Sequence, residues 1–213
     1  MTGSRPYIQQ MPAQPQPARH IIFSQVSKSY ENEIVLDRFD LALPLQGIVC
    51  LTGPSGGGKT TLMRLAAGFE KPDGGTIEGH EGLVFSTMFQ EDRLLPWLTA
   101  AENLDQVLQK QAAAEWLPKV LLTDAAAKYP DELSGGMRRR VALARALAFP
   151  SDVLFLDEPF KGLDSAMREQ MIDLVKRERG MRPLFMITHD KFEVEQLADL
   201  TFCFSGAPLR LSC

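Results

Sequence analysis

The stretch IVCLTGPSGGGKTTLMRLAAG, residues 48–68, decides the fold. Its first five residues read as a buried strand, and its last nine repeat apolar residues at helical spacing. Between them, Gly53-Pro54-Ser55-Gly56-Gly57-Gly58-Lys59-Thr60 fits the pattern GxxxxGK[ST], in the strand-to-helix setting that this pattern needs. The glycines let backbone N–H groups converge on phosphate oxygens, and the helix beginning near Lys59 turns its positive end toward them. Lys59 adds a mobile charge for the outer phosphates, and the Thr60 hydroxyl is placed for a magnesium ion. The bland alternative is a glycine-rich turn with a surface lysine. A phosphate loop gives nucleotide binding without naming the machine that uses it.

Working outward, short apolar runs alternate with amphipathic segments, the pattern of an α/β protein with a mostly parallel core sheet covered by helices. Further core strands are expected at 83–89, 152–157, 183–188 and 200–204. Upstream, IIFSQVSKSYENEIVLDRFDLAL (21–43) alternates at Phe39, Leu41 and Leu43 around a turn-like SYENE, which predicts an antiparallel β-subdomain before the parallel core. The segment from Thr99 to Tyr129 is rich in alanine, leucine and glutamine, is interrupted by Pro118 and has no strand signal. It predicts a small helical subdomain over about 91–150, within one domain spanning 20–213.

Composition narrows the function. The chain has 213 residues, a formal net charge of -4, 45% hydrophobic and 23% charged residues. That is an ordinary globular composition with no electrostatic reason to propose nucleic acid as a partner. Cys50, Cys203 and Cys213 are scattered and odd in number, so neither a disulfide framework nor a zinc site is indicated, which fits a reducing compartment. No apolar run is long enough to span a bilayer. Residues 1–19, rich in proline and glutamine, read as a disordered tail rather than an export signal.

Two other places carry chemistry. VLFLDEPF (153–160) puts Asp157 and Glu158 at the carboxyl end of a core strand, where open α/β sheets bind ligands. Strand alternation sends the two side chains in different directions. Asp157 can then reach magnesium through its water shell, while Glu158 can face an attacking water as general base. Both could instead be solvated carboxylates at a strand end. At Leu133-Ser134-Gly135-Gly136-Met137, a polar glycine pair opens a second helix with an anion-binding N-terminus. One triphosphate is already cradled by the first loop, so two such ends suggest two chains sharing two nucleotides. The arginine run Arg138 to Arg140 that follows reads as a solvated helix face with snorkelling stems.

Together, the loop at 53–60, Gln90, LSGGM, LFLDEP, Gly162-Leu163-Asp164 and His189 resemble, in order, the motifs of the ATP-binding cassette (ABC) family. The resemblance covers about residues 21–205. It implies an ATPase using ATP and Mg2+, assembled as a head-to-tail dimer, most simply a homodimer, with each ATP between one phosphate loop and the partner's LSGGM. On it, residues 53–60 and Thr61 hold nucleotide, Ser134, Gly135 and Gly136 complete the partner's site, and Asp164 makes an inter-subunit contact. Tyr30 resembles the aromatic that stacks on adenine, with a turn aromatic packed on its own sheet as the alternative. Gln90 resembles the residue that senses the metal and couples to the transporter. His189, after the strand PLFMIT, resembles the switch histidine at the γ-phosphate.

The stretch EDRLLPWLTAAENL after Gln90 is similar to importers of nitrate, sulfonate and taurine. That similarity implies a cassette on the cytoplasmic face of the inner membrane, seated on transmembrane permease subunits served by an extracytoplasmic solute-binding protein. Two departures stand out: the stretch from Asn103 to Tyr129 is shorter than usual, and Lys161 occupies a loop position where a small residue is common. The competing class is a soluble cassette that works mechanically on another complex or serves as an ATP-dependent scaffold. The chain shows neither the long heptad run nor the internal repeat expected of the mechanical kinds.

Overall fold

The computed structural model describes residues 19–31, 33–106 and 112–212. The predicted tail therefore lies, apart from Arg19, outside the described residues. In chain order the elements are β1 (His20–Tyr30), β2 (Glu33–Pro44), β3 (Ile48–Thr52), α1 (Lys59–Ala66), β4 (Gly74–Glu78), β5 (Phe85–Met88), α2 (Ala100–Asp105), α3 (Ala112–Lys119), α4 (Gly135–Ala148), β6 (Val153–Asp157), α5 (Ser165–Glu178), β7 (Leu184–Ile187), α6 (Lys191–Leu197), β8 (Leu200–Ser205) and β9 (Arg210–Leu211).

The core sheet has the order β5-β6-β7-β3-β8-β9, parallel from β5 to β8 with β9 antiparallel at the edge. Because both faces are covered, its strands are apolar at consecutive positions, and the period of two sorts them into two clusters. Val49, Leu51, Phe155, Phe185 and Ile187 pack with Leu62 and Leu65 of α1 and with the second sheet. Ile48, Cys50, Leu154, Leu156, Leu184 and Met186 face the opposite layer, with α4, α5 and α6. Burial pushes the Cys50 thiol up to about 12, so it serves as a small core residue rather than a nucleophile.

The second sheet, β2-β1-β4, is antiparallel. It contains the strand pair predicted over 21–43, and β4 joins as an edge strand that its glycine-rich start, Gly74-Gly75, had hidden. Within the span predicted to be helical lie α2, α3, two short 3-10 turns and α4. Leu104, Trp116, Leu117, Val120 and Leu122 from this span join the same apolar cluster as the α4–α6 face of the core sheet.

The end of the chain brings one correction. The β8–β9 hairpin returns the chain beside Cys203, whose carbonyl accepts from Ser212 N at 2.7 Å, and Cys203 is disulfide-bonded while Cys50 is free. Cysteine spacing could not reveal this, because the hairpin that brings the chain back has only two residue pairs. Among the described residues, no helix is long and apolar enough to cross a membrane.

Candidate active site

Strand register builds the site. Leu51 and Asp157 both pair with Ile187, which levels the carboxyl ends of β3, β6 and β7. The segments leaving those ends, beginning at Gly53, Glu158 and Thr188, therefore converge on one edge of the sheet. A cleft of about 240 Å³ opens there, lined by Tyr30, Gly53, Ser55, Gly56, Gly58, Lys59, Thr60, Thr61, Gln90, Glu158 and His189.

The loop's glycines answer to close approach and to handedness. Gly53 has φ +140°, and a Cβ there would lie 2.3 Å from the Phe204 carbonyl oxygen. Gly58 has φ +91° at the N-cap of α1, where a Cβ would lie 2.5 Å from Val35. Either side chain would force the loop off β8 or β2. Lys59, the first residue of α1, is buried and donates to the carbonyls of Gly53 and Pro54 at 2.9 and 2.6 Å. Burial pulls its pKa below the ordinary lysine value, and Asp157 and Glu158 pull the other way. Losing this ammonium removes a charge-assisted donor worth about 1.5–3 kcal/mol. Lys59→Ala is thus expected to weaken ATP affinity by roughly tenfold or more; equilibrium titration showing unchanged affinity would contradict the phosphate-loop reading.

The Thr60 hydroxyl donates to Asp157 Oδ2 at 2.6 Å, joining the loop to the end of β6. Asp157 is buried, which pushes its carboxyl up, an effect that Thr60 opposes and the Glu158 charge reinforces. Thr60, Asp157 and Gln90 offer only oxygen donors, as suits a small hard cation that keeps several waters and takes phosphate oxygens as its other ligands.

Glu158 has φ +47°, a left-handed conformation costly for a residue with a long side chain. The surroundings enforce it: its N–H donates to the Ile187 carbonyl at 2.9 Å, and its own carbonyl accepts from Arg139. The carboxylate is engaged at both oxygens, Oε2 by Lys161 Nζ at 2.6 Å and Oε1 by His189 Nδ1 at 3.2 Å. Burial pushes this carboxyl up, but Lys161 and His189 together outweigh burial and hold it below the usual range. Thr188 Oγ1, behind His189, donates to buried Glu193 and accepts from Asp190 N.

Some predicted site residues lie outside the cleft. Ser134 caps α4, its Oγ accepting from Met137 N at 3.2 Å, and leaves Gly135 at the exposed helix start. Gly136 packs against Gly162 and Leu163, so the start of α4 rests on the loop that carries Asp164. Asp164 caps α5, accepting from Met167 N at 2.9 Å. Tyr30 lines the cleft while its hydroxyl donates to Glu70, which pairs with Arg64.

The arginine run is corrected. Arg139 is buried, not solvated: its guanidinium donates to the carbonyls of Phe89, Gln90, Asp157 and Glu158 and pairs with Asp92 at 3.0 Å. Arg138 donates to Pro130 and Leu133 carbonyls, and Arg140 to those of Val120 and Leu121. Helical periodicity cannot see this, because the partners lie outside α4. A capping box of Thr99 and Glu102, the ends of the sequence signal TAAE, starts α2.

A parallel sheet with a phosphate loop after β3, a hydroxyl-linked aspartate on β6 and a glutamate beside it defines a P-loop nucleotide hydrolase. Within that class, a family model described as ABC transporter matches residues 36–161. The chain belongs to the ATP-binding cassette family; it is an ATPase, with ATP and Mg2+ as its cofactors. It is 42% identical over 182 residues to the aliphatic sulfonates import ATP-binding protein SsuB 1 of Rhodococcus jostii (strain RHA1), covering 82% of this chain and 74% of that protein. To SsuB of Escherichia coli (strain K12) it is 41% identical over 191 residues, 84% and 74% of the two chains. A solved dimeric ATP-binding cassette in a post-hydrolysis state with ADP and Pi matches with a TM-score of 0.76 at 26% identity, covering 88% of this chain and 94% of that one.

Proposed function

We propose that this chain is the ATP-hydrolysing subunit of an importer for a small organic anion of the sulfonate class. It would work as a head-to-tail dimer seated on transmembrane permease subunits at the cytoplasmic face of the inner membrane, with an extracytoplasmic protein delivering the solute. The observation that carries this reading is the convergence of Lys59, Thr60–Asp157, Gln90, Glu158 and His189 on one cleft, in a chain about 40% identical to sulfonate-import ATP-binding proteins.

The roles follow from the geometry. Tyr30 offers its ring to the base, and the loop from Gly53 to Thr61 wraps the phosphates. Lys59 exchanges its two carbonyl partners for phosphate oxygens. Thr60, Asp157 and Gln90 would hold Mg2+, which would supply charge neutralisation at the transferring phosphoryl group. Glu158 takes the proton of the attacking water, and His189, in contact with Glu158, positions the two. Ser134, Gly135, Gly136 and Asp164, outside the chain's own cleft, serve the partner's nucleotide, and dimer closure drives the permease.

The surface toward the permease is built by Asn103. Its buried side-chain amide donates to the carbonyls of Leu95, Leu98 and Thr99 and accepts from Leu95 N at 2.8 Å. This pins the segment after Gln90 to α2 and leaves Trp97, 69% exposed, on the outside. Co-purification of the chain from detergent-solubilised membranes tests the reading. A stoichiometric multi-span partner supports it, whereas recovery with soluble chains alone moves the function to the mechanical or scaffold class.

A further inference from the structure

Lys161 stands three residues beyond Glu158, and its side chain is 53% exposed. Its ammonium nevertheless lies 2.6 Å from Glu158 Oε2, on a carboxylate only 11% exposed. The loop that presents it is a tight turn: Lys161 N donates to the Glu158 carbonyl at 3.2 Å and Leu163 N to the Phe160 carbonyl at 3.2 Å. Gly162, at φ +78°, follows with open space around it.

Two clefts meet at Glu158. One is the nucleotide cleft; the other, of about 170 Å³, is lined by Lys161, Gly162, Arg168 and Asp190 among others. Glu158, Thr188 and His189 line both, but among the described residues Lys161 lines only the second. Lys161 therefore meets the carboxylate from a cleft that no residue of the phosphate loop lines. With His189 on Oε1, both oxygens already carry a partner. A carboxylate engaged at both oxygens is less free to meet a water in the nucleotide cleft, and an oxygen already accepting from an ammonium is a poorer proton acceptor. Arg168, which also lines the second cleft, is turned to Asp190 at 2.5 Å instead of Glu158.

Resting on the assignment of Glu158 as general base, we propose that Lys161 is a positioning residue acting through Glu158, a releasable latch that holds the carboxylate toward the second cleft until the ammonium swings out. Release is inexpensive, since the lysine stem is flexible and its head already half in water. Turnover is then limited by how often the latch is open.

The test is steady-state hydrolysis of MgATP by the full chain, with equilibrium ATP binding measured alongside. Lys161→Met keeps the length of the stem and removes the charge. It is expected to raise kcat about fivefold, the rate equivalent of a partly exposed ion pair, with KM and ATP affinity unchanged. Lys161→Arg keeps the pair and the low turnover. An unchanged or lowered kcat in Lys161→Met overturns the latch, as does an increase shared by Lys161→Arg. Glu158→Gln in both backgrounds separates the two readings: turnover surviving it removes the base assignment itself, whereas silence with unaltered Lys161→Met kinetics removes only the latch.

Discussion

Glu158→Gln is expected to bind ATP with wild-type affinity and to lose turnover by about 10²–10⁴-fold, the contribution of a positioned general base. The substitution is nearly isosteric, and a glutamine carbonyl can still accept from Lys161 Nζ. The features that hold residue 158 in its left-handed conformation are backbone bonds, to the Ile187 carbonyl and from Arg139, and they survive the change. Lys59, Thr60 and Asp157, which we assign to the phosphates and the metal, keep their own contacts in this variant. The loss should therefore fall on kcat, with ATP affinity spared. Since a dimer that cannot hydrolyse its nucleotide has no route to reopen, size-exclusion chromatography with MgATP should show the variant accumulating as a dimer. Near-normal turnover in Glu158→Gln would move the base role elsewhere, and His189 would be next to examine.

Much of this site was legible before any coordinates, for identifiable reasons. Gly53 to Thr60 is a local motif, whose meaning depends only on the strand before it and the helix after it. Asp157 and Glu158 end an uninterrupted apolar run, so their position at a strand terminus followed from the run itself. The core strands were found because burial on both faces makes them continuously apolar, as in Leu184–Ile187, where every residue is buried. The signals failed where structure depends on distant partners. β4 is short and half-exposed, begins with two glycines and is specified by pairing to β1 rather than by its own pattern. Lys161 reads as a surface lysine until the turn after Glu158 folds it back onto the carboxylate. Arg139 differs from its neighbours Arg138 and Arg140 only in the face of α4 it occupies.

That face makes Arg139 a residue whose loss should cost the fold heavily. One guanidinium ties together three segments far apart in sequence: the end of β6, the stretch at Phe89–Asp92 and the first turns of α4. The planar fork suits this, since its donors spread over several carbonyls at fixed angles while Asp92 supplies the balancing charge. Arg139→Leu would leave those carbonyls without their donor and Asp92 without its closest cation, at a cost of about 3–5 kcal/mol. In a chain of this size that lowers Tm by about 10 °C, readable by calorimetry. Should the leucine variant fail to fold, Arg139→Lys still decides the matter. An ammonium can keep the charge near Asp92 but cannot span the carbonyls of Gln90 and Glu158 together, so the lysine variant should fold with a lower Tm and a reduced kcat. The reduction arises because the turn that holds Glu158 at positive φ loses its anchor while Lys59 and the loop are unaffected. A lysine variant with wild-type Tm and kcat would show that the guanidinium merely fills space, and that the Ile187 carbonyl alone holds the catalytic turn.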